Sequence, residues 1–291
     1  MIYCLGLQYN ELENDKNISV IRDIRELSPA EIENYSCCLK SVVEYRNLKN
    51  SIYLLNKNFN DFSLFILNPE KENYKFDSLN EKLNSLLLSI NAYLSNFLFS
   101  MTATKNHFYF LLDDIDKEEY KNKTNELYEN DNIYGFVWEL RNYAQHFFLP
   151  YTNVNINEVL QNGCIIKTIN FKINKNELLK NKQNWKIATT YLSSLPESLD
   201  IIDFIEHAKI ELIKIYDYFC NKKLVRIDED LKTLSGWANE IQNYAMQKRI
   251  TTYYPCVLGL EDNKSIKMGK LELELLAELK YITTSVQVPI Q

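Results

Sequence analysis

The chain has 291 residues, 46% hydrophobic and 25% charged, an ordinary globular composition long enough for one large domain or two modest ones. Its six glycines stand singly at 6, 135, 163, 236, 259 and 269, which excludes glycine-rich phosphate loops and dinucleotide-binding fingerprints. A net charge of −6 excludes general nucleic-acid binding except through a local basic patch.

The six cysteines (4, 37, 38, 164, 220 and 256) form no C-x-x-C pair, and there are three histidines, so no structural zinc and no other metal or cofactor is expected. The opening MIYCLGLQYNELEND lacks the basic-then-apolar pattern of a signal peptide. No stretch approaches 18 uncharged apolar residues, so the expectation is no membrane contact and a reducing cytoplasm.

In chain order, MIYCLGL and ISVIRDI read as strands. Ser28-Pro29-Ala30-Glu31 is a capping box with proline at the first helical position, and apolar spacing carries the helix to about residue 57. The run FSLFIL before Pro69 is ambiguous. A second box, Ser78 to Glu81, opens a helix with a seam of Leu83, Leu87, Ile90, Leu94, Phe97 and Met101. Residues 113–131 read as an acidic, partly helical connector, and 133–148 as an amphipathic helix ended by Pro150.

Asn162-Gly163 marks a hairpin turn followed by the alternating IIKTINFKI. A third box, Ser194 to Glu197, precedes a seam of Ile201, Ile205, Ala208, Leu212, Ile215 and Phe219. Leu231, Leu234, Trp237, Ile241 and Tyr244 mark a last helix. The β-prone TTYYPCVLGL and the ambiguous KLELELLAELKYI follow it and could pair with the N-terminal strands. The fold class is therefore mainly α: an up-and-down helical bundle with an inserted β-hairpin and a small accessory α/β region formed by the termini. The domain reading is a strand-like segment 1–27, a bundle over 28–222 with its hairpin near 152–173, and a C-terminal region 223–291.

One constellation carries chemistry. Arg141, Asn142 and His146 form R-N-x-x-x-H on the 133–148 helix. RNA can be cut without metal when its own 2′-hydroxyl attacks the adjacent phosphate. That needs a group of near-neutral pKa to move protons, and histidine is the side chain that has one. It also needs a fixed cation for the charge on the phosphorane, which a planar guanidinium supplies. Asn142 would orient the phosphate or the imidazole.

The pattern resembles the signature of the HEPN superfamily, and the resemblance covers about residues 30–222. It implies a bundle of four or five helices acting as a metal-independent endoribonuclease, with a cleft formed where two such domains meet. It further implies an RNA substrate, a homodimer and, in bacterial members, service as a toxin or phage-defence effector, often restrained by an antitoxin or regulatory protein. On a regular helix, five residues place His146 about 140° from Arg141. Either the helix is irregular there, or the site is composite and a partner copy completes each edge. The alternative function is a non-catalytic HEPN-like module for dimerisation or for binding nucleotide or RNA.

Between Cys164 and Lys186, six lysines (Lys167, Lys172, Lys175, Lys180, Lys182 and Lys186) stand against Glu177, a local charge of +5 that could hold an RNA backbone or be a solvated face. The remaining candidates read as structural. Tyr143 is core, the three tryptophans are core or helix-contact residues, the cysteines small buried hydrophobes, and Gln145 a neighbour for Arg141. His107 is a helix-end or half-buried residue, His207 a surface residue, and Asp113, Asp114, Asp116, Glu118 and Glu119 a solvated cluster.

Overall fold

Ser28 starts the first long helix by reciprocal capping. Its Oγ accepts from the Glu31 amide at 3.3 Å, while the Glu31 carboxylate accepts from the Ser28 amide at 2.8 Å. The computed structural model describes residues 2–13, 16–67, 79–161, 164–180, 185–251, 253–261, 264–271 and 276. The protein is mainly helical with small antiparallel sheets, and it divides into two units, Met1–Asn47 with Asn221–Gln291, and Leu48–Cys220. These boundaries fall inside helices α1 (Pro29–Leu67) and α7 (Ile202–Arg226), where the sequence suggested 27/28 and 222/223.

In the unit containing the termini, β1 (Ile2–Glu13) lies between β2 (Lys16–Glu26) and β6 (Tyr254–Glu261), with β7 (Lys264–Lys270) outermost. The anticipated pairing of the chain ends is thus present, Ile2 opposite Leu260 through Gln8 opposite Tyr254. Cys4, Leu5, Gly6 and Leu7 are consecutively buried, so both faces of β1 are covered at its centre. A Cβ at Gly6 would stand 2.4 Å from Leu258 and 2.6 Å from the Arg22 carbonyl, which is why that position takes glycine. Helix α8 (Asp228–Gln247) buries Leu231, Leu234, Trp237, Ala238, Ile241 and Ala245 at helical spacing. Trp237 stacks on Tyr35 at 5.7 Å, and Arg25 joins Glu31 and Glu240 at 2.8 Å each. The cysteine expectation needs one correction: Cys4, Cys38, Cys220 and Cys256 are buried, but Cys37 is exposed. The Cys164 side chain lies outside the described residues. Burial first, then Asp230, pushes the Cys38 thiol up to about 12.

In the Leu48–Cys220 unit, α1 continues to Leu67, ten residues beyond the expected end. The FSLFIL run is helical because Phe62, Phe65 and Ile66 repeat by three and four and are buried. Ser78 and Pro69 lie outside the described residues, as do Asn162-Gly163 and most of KLELELLAELKYI. Helix α2 (Leu79–Leu111) buries Leu86, Ile90, Leu94, Phe97, Leu98, Met101 and Phe108, while Leu83 from the expected seam is 41% exposed. By length and composition Leu83–Leu111 could cross a membrane, contrary to the sequence reading, although this apolar surface supplies the unit's core. The acidic connector is a full helix, α3 (Asp114–Asn130), because Asp116, Tyr120 and Thr124 repeat by four on one buried face. Stacked rings fill the interior beside it, with Phe108 4.3 Å from Tyr216 and 5.6 Å from Tyr120.

Helix α4 (Asn132–His146) precedes the hairpin of β3 (Tyr151–Gln161) and β4 (Cys164–Asn174). Ile169, Phe171 and Ile173 point inward and alternate with exposed Asn170 and Lys172. The third capping box does not start a helix. Ser194 ends α6 (Ala188–Ser194), and the Glu197 carboxylate accepts from Asn176 at 2.9 Å, after α5 (Lys175–Leu179) has begun. The strand β5 (Ser198–Leu199) then pairs with β4, and Asp200 accepts from the Ile202 amide at the start of α7. Tyr216 takes the buried place expected of Ile215, as the drift of a straight 3.6-residue helix against a heptad requires.

Candidate active site

Helix α4 begins on a firm anchor. Asp131 accepts from the Tyr134 amide at 2.8 Å, and its other oxygen lies 2.8 Å from His207 Nε2 on α7. Burial pushes the Asp131 carboxyl up, but the Tyr134 amide, His207 and the Ile133 amide together hold it below its ordinary value. His207 is therefore a tie between helices rather than the solvated residue expected. His107 also has a partner, with its Nδ1 3.0 Å from the Ser51 hydroxyl.

Past this anchor, Phe136, Leu140 and Tyr143 fix the apolar face of α4, and Phe136 and Tyr143 stack on the buried Trp185 at 5.8 and 5.7 Å. Glu139 shares that face and is 1% exposed. Such a carboxylate requires partners, and it has two. Tyr128 donates its hydroxyl to one oxygen, and Asn142 Nδ2 donates to the other at 2.8 Å. Asn142 Oδ1 in turn accepts from Arg141 Nη1 at 2.5 Å. Tyr128, Glu139, Asn142 and Arg141 thus form one chain of hydrogen bonds, running from α3 to the half-buried guanidinium.

Arg141 also lies over the Trp138 ring, at 5.6 Å from its centroid, and Lys105 Nζ lies 4.6 Å from the same ring. Burial draws the Arg141 guanidinium below its ordinary value and Glu139 draws it back up. Its Nε is buried without a hydrogen-bond partner. Asn142 is the acceptor that Arg141 has among the described residues, so most of the guanidinium's five N–H donors are uncommitted. Gln145 is exposed and takes no part.

His146 is the last residue of α4 and is exposed. The helix is regular to this point, with the Phe147 amide donating to the Tyr143 carbonyl at 3.0 Å. Arg141 and His146 therefore occupy different edges of one helix, and no hydrogen bond joins His146 to Arg141 or Asn142. Phe147 and Phe148 follow with 41% and 52% of their surface exposed.

The lysine-rich stretch is less uniform than its composition. Lys175 donates to the Ser193 and Leu195 carbonyls at 3.2 and 2.5 Å, which closes the end of α6. Lys180 pairs with Glu177 at 2.7 Å. Lys172 and Lys186 are exposed, while Lys182 and the Lys167 side chain lie outside the described residues. Among the described residues no three His, Cys, Asp or Glu side chains are close enough to hold a metal ion, and the acidic cluster is not uniformly solvated as expected: Asp114 pairs with Lys117, Glu119 accepts from Tyr218 on α7, and Asp116 is buried.

The sequence pattern located Arg141, Asn142 and His146, but it missed Glu139 and Tyr128. A carboxylate in the apolar stripe of α4 was the readable signal for Glu139; nothing in the sequence marks Tyr128. Comparison of the chain with models of known families, with curated proteins and with solved structures gives no match.

Proposed function

We propose that the protein is a HEPN-type, metal-independent endoribonuclease that works as a homodimer, with Arg141 and Asn142 of one copy facing His146 of the other. The observation that carries this reading is the held but uncommitted guanidinium of Arg141. It is positioned through Asn142 by a buried carboxylate, and its Nη2 takes no hydrogen-bond partner among the described residues, which leaves it for a phosphate.

The chemistry follows from the residue types. Neutral His146 takes the proton from the 2′-hydroxyl as its oxygen bonds to phosphorus. Arg141 holds the negative charge that gathers on the non-bridging oxygens. The bond to the 5′ oxygen breaks, and that oxygen receives a proton from water or from an imidazolium. The products are a 2′,3′-cyclic phosphate and a 5′-hydroxyl. The regular end of α4 supports assigning the two roles to different copies, and exposed Phe147 and Phe148 offer apolar surface for the contact. A toxin or defence role, a cytoplasmic setting and restraint by a partner protein are further parts of this reading.

Incubating bulk RNA with the protein in EDTA tests the reading. Wild type is expected to release cyclic-phosphate ends and His146→Ala to release none. Cleavage unchanged in His146→Ala, or strictly dependent on a divalent metal, would refute it.

A further inference from the structure

In the unit formed by Met1–Asn47 and Asn221–Gln291, a cleft of about 620 Å³ lies among β1, β2 and the end of α8. Tyr9, Glu11, Arg22, Tyr244, Lys248 and Arg249 line it. Three cations thus surround the space against one carboxylate, in a chain whose net charge is −6. None of the three forms an ion pair among the described residues. Arg22 Nε donates weakly to the Tyr9 hydroxyl at 3.5 Å, and Lys248 Nζ lies 5.9 Å from the centre of the Tyr244 ring.

Helix α8 alone does not explain this arrangement. Cations are favoured at a helix C-terminus, which suits Lys248 and Arg249, but Arg22 arrives from β2. Arg249 also occupies a costly place. Its φ is 56°, in the left-handed region, and the Ile250 amide donates to the Ala245 carbonyl while the Arg249 amide donates to that of Met246. That is the helix-ending turn in which glycine is the favoured residue. An arginine there places charge on the cleft at the expense of the backbone.

We propose that this cleft binds a nucleoside phosphate, with Arg22, Lys248 and Arg249 taking the phosphate and the Tyr9 and Tyr244 rings taking the base. Guanidinium forks match phosphate oxygens, aromatic rings accept any base by stacking, and the volume is that of a small-molecule site. The same chemistry is presented by a free nucleotide and by the phosphorylated end of an RNA strand. The assignment does not rest on the cleavage proposed for α4.

Calorimetric titration of the full chain tests it, with AMP, ATP, inorganic phosphate and a 5′-phosphorylated hexamer of 2′-O-methyl RNA, which 2′-hydroxyl attack cannot cut. Saturable binding of AMP or of the hexamer is expected, with phosphate alone roughly tenfold weaker or more. Whichever of AMP, ATP and hexamer binds most tightly identifies the source. Arg22→Gln, or Lys248→Gln on the exposed helix end, should weaken binding by roughly tenfold. Tyr9→Leu should weaken AMP and leave phosphate unchanged. Arg249→Gly is the sharpest variant, expected to keep or raise the melting temperature while it weakens binding. The proposal is overturned if none of the probes saturates, if phosphate binds as tightly as AMP, or if Arg249→Gly binds like wild type.

Discussion

The middle and the end of α4 contrast. Arg141 and Asn142 are held by a buried carboxylate and by the face of Trp138, whereas His146, little more than a turn away, stands exposed with two exposed phenylalanines after it. On the proposed reading, the group that binds phosphate is prepared in advance and the group that moves protons is left at the surface. In a single chain the two do not meet. The contrast teaches that one regular helix can hold Arg141 and Asn142 firmly and still leave His146 free at its end, which is why the proposed site draws its two parts from two copies.

The largest expected effect comes from removing either half. Arg141→Ala and His146→Ala should each lower RNA cleavage by about 100-fold or more, the usual scale for a charge-stabilising donor or a general acid–base. His146→Ala should leave the melting temperature unchanged, since its side chain is exposed. A cleavage assay paired with thermal unfolding separates these outcomes.

Next in size is the support beneath Arg141. Glu139→Ala leaves the half-buried Tyr128 and Asn142 without their acceptor, and because water reaches both, the loss should fall at or below the low end of the about 1 to 3 kcal/mol of a buried orphan. A lower denaturation midpoint together with weaker cleavage is expected. Tyr128→Phe removes one of the two bonds to Glu139 and should give a smaller loss of the same kind. Cleavage unchanged in Glu139→Ala would break the contrast, because Arg141 would then need no holding.

How much of this was legible follows from what local sequence encodes. The Ser28–Glu31 box, the α2 seam from Ile90 to Met101, the inward residues of β4 and helix α4 itself are readable, because capping and periodicity act over a few residues. Ser194–Glu197 has the same box pattern and misleads, since Asn176 competes for the Glu197 carboxylate from another element. His207 lies off the heptad seam and so reads as solvated, and its partner Asp131, 76 positions away, is invisible to local pattern. The Arg141, Asn142 and His146 pattern was visible, whereas the Tyr128–Glu139 support beneath it depends on how α3 meets α4.

The start of α4 offers a smaller effect. Asp131→Ala removes the cap and should cost about 1 kcal/mol. The folded Asp131 carboxyl titrates below its ordinary value, so its contribution is present above the unfolded pKa of about 3.9 and fades as the pH falls through the lower folded value. The stability difference between wild type and Asp131→Asn should therefore shrink on acidification from pH 5 to pH 2. Smallest are the lysines. Lys172→Gln should flatten the salt dependence of RNA binding by about 0.7 of a log unit of slope if it contacts backbone. Lys175→Gln should instead lower stability, because its amine is committed to the end of α6.

The most direct test of the divided site is complementation. Arg141→Ala and His146→Ala proteins, each inactive alone, are unfolded together, refolded as a mixture and assayed on RNA in EDTA. A site built from both copies predicts recovery to about a quarter of the wild-type rate, because half of randomly paired dimers carry one intact site of two. No recovery, with dimer formation verified by light scattering, would contradict the account.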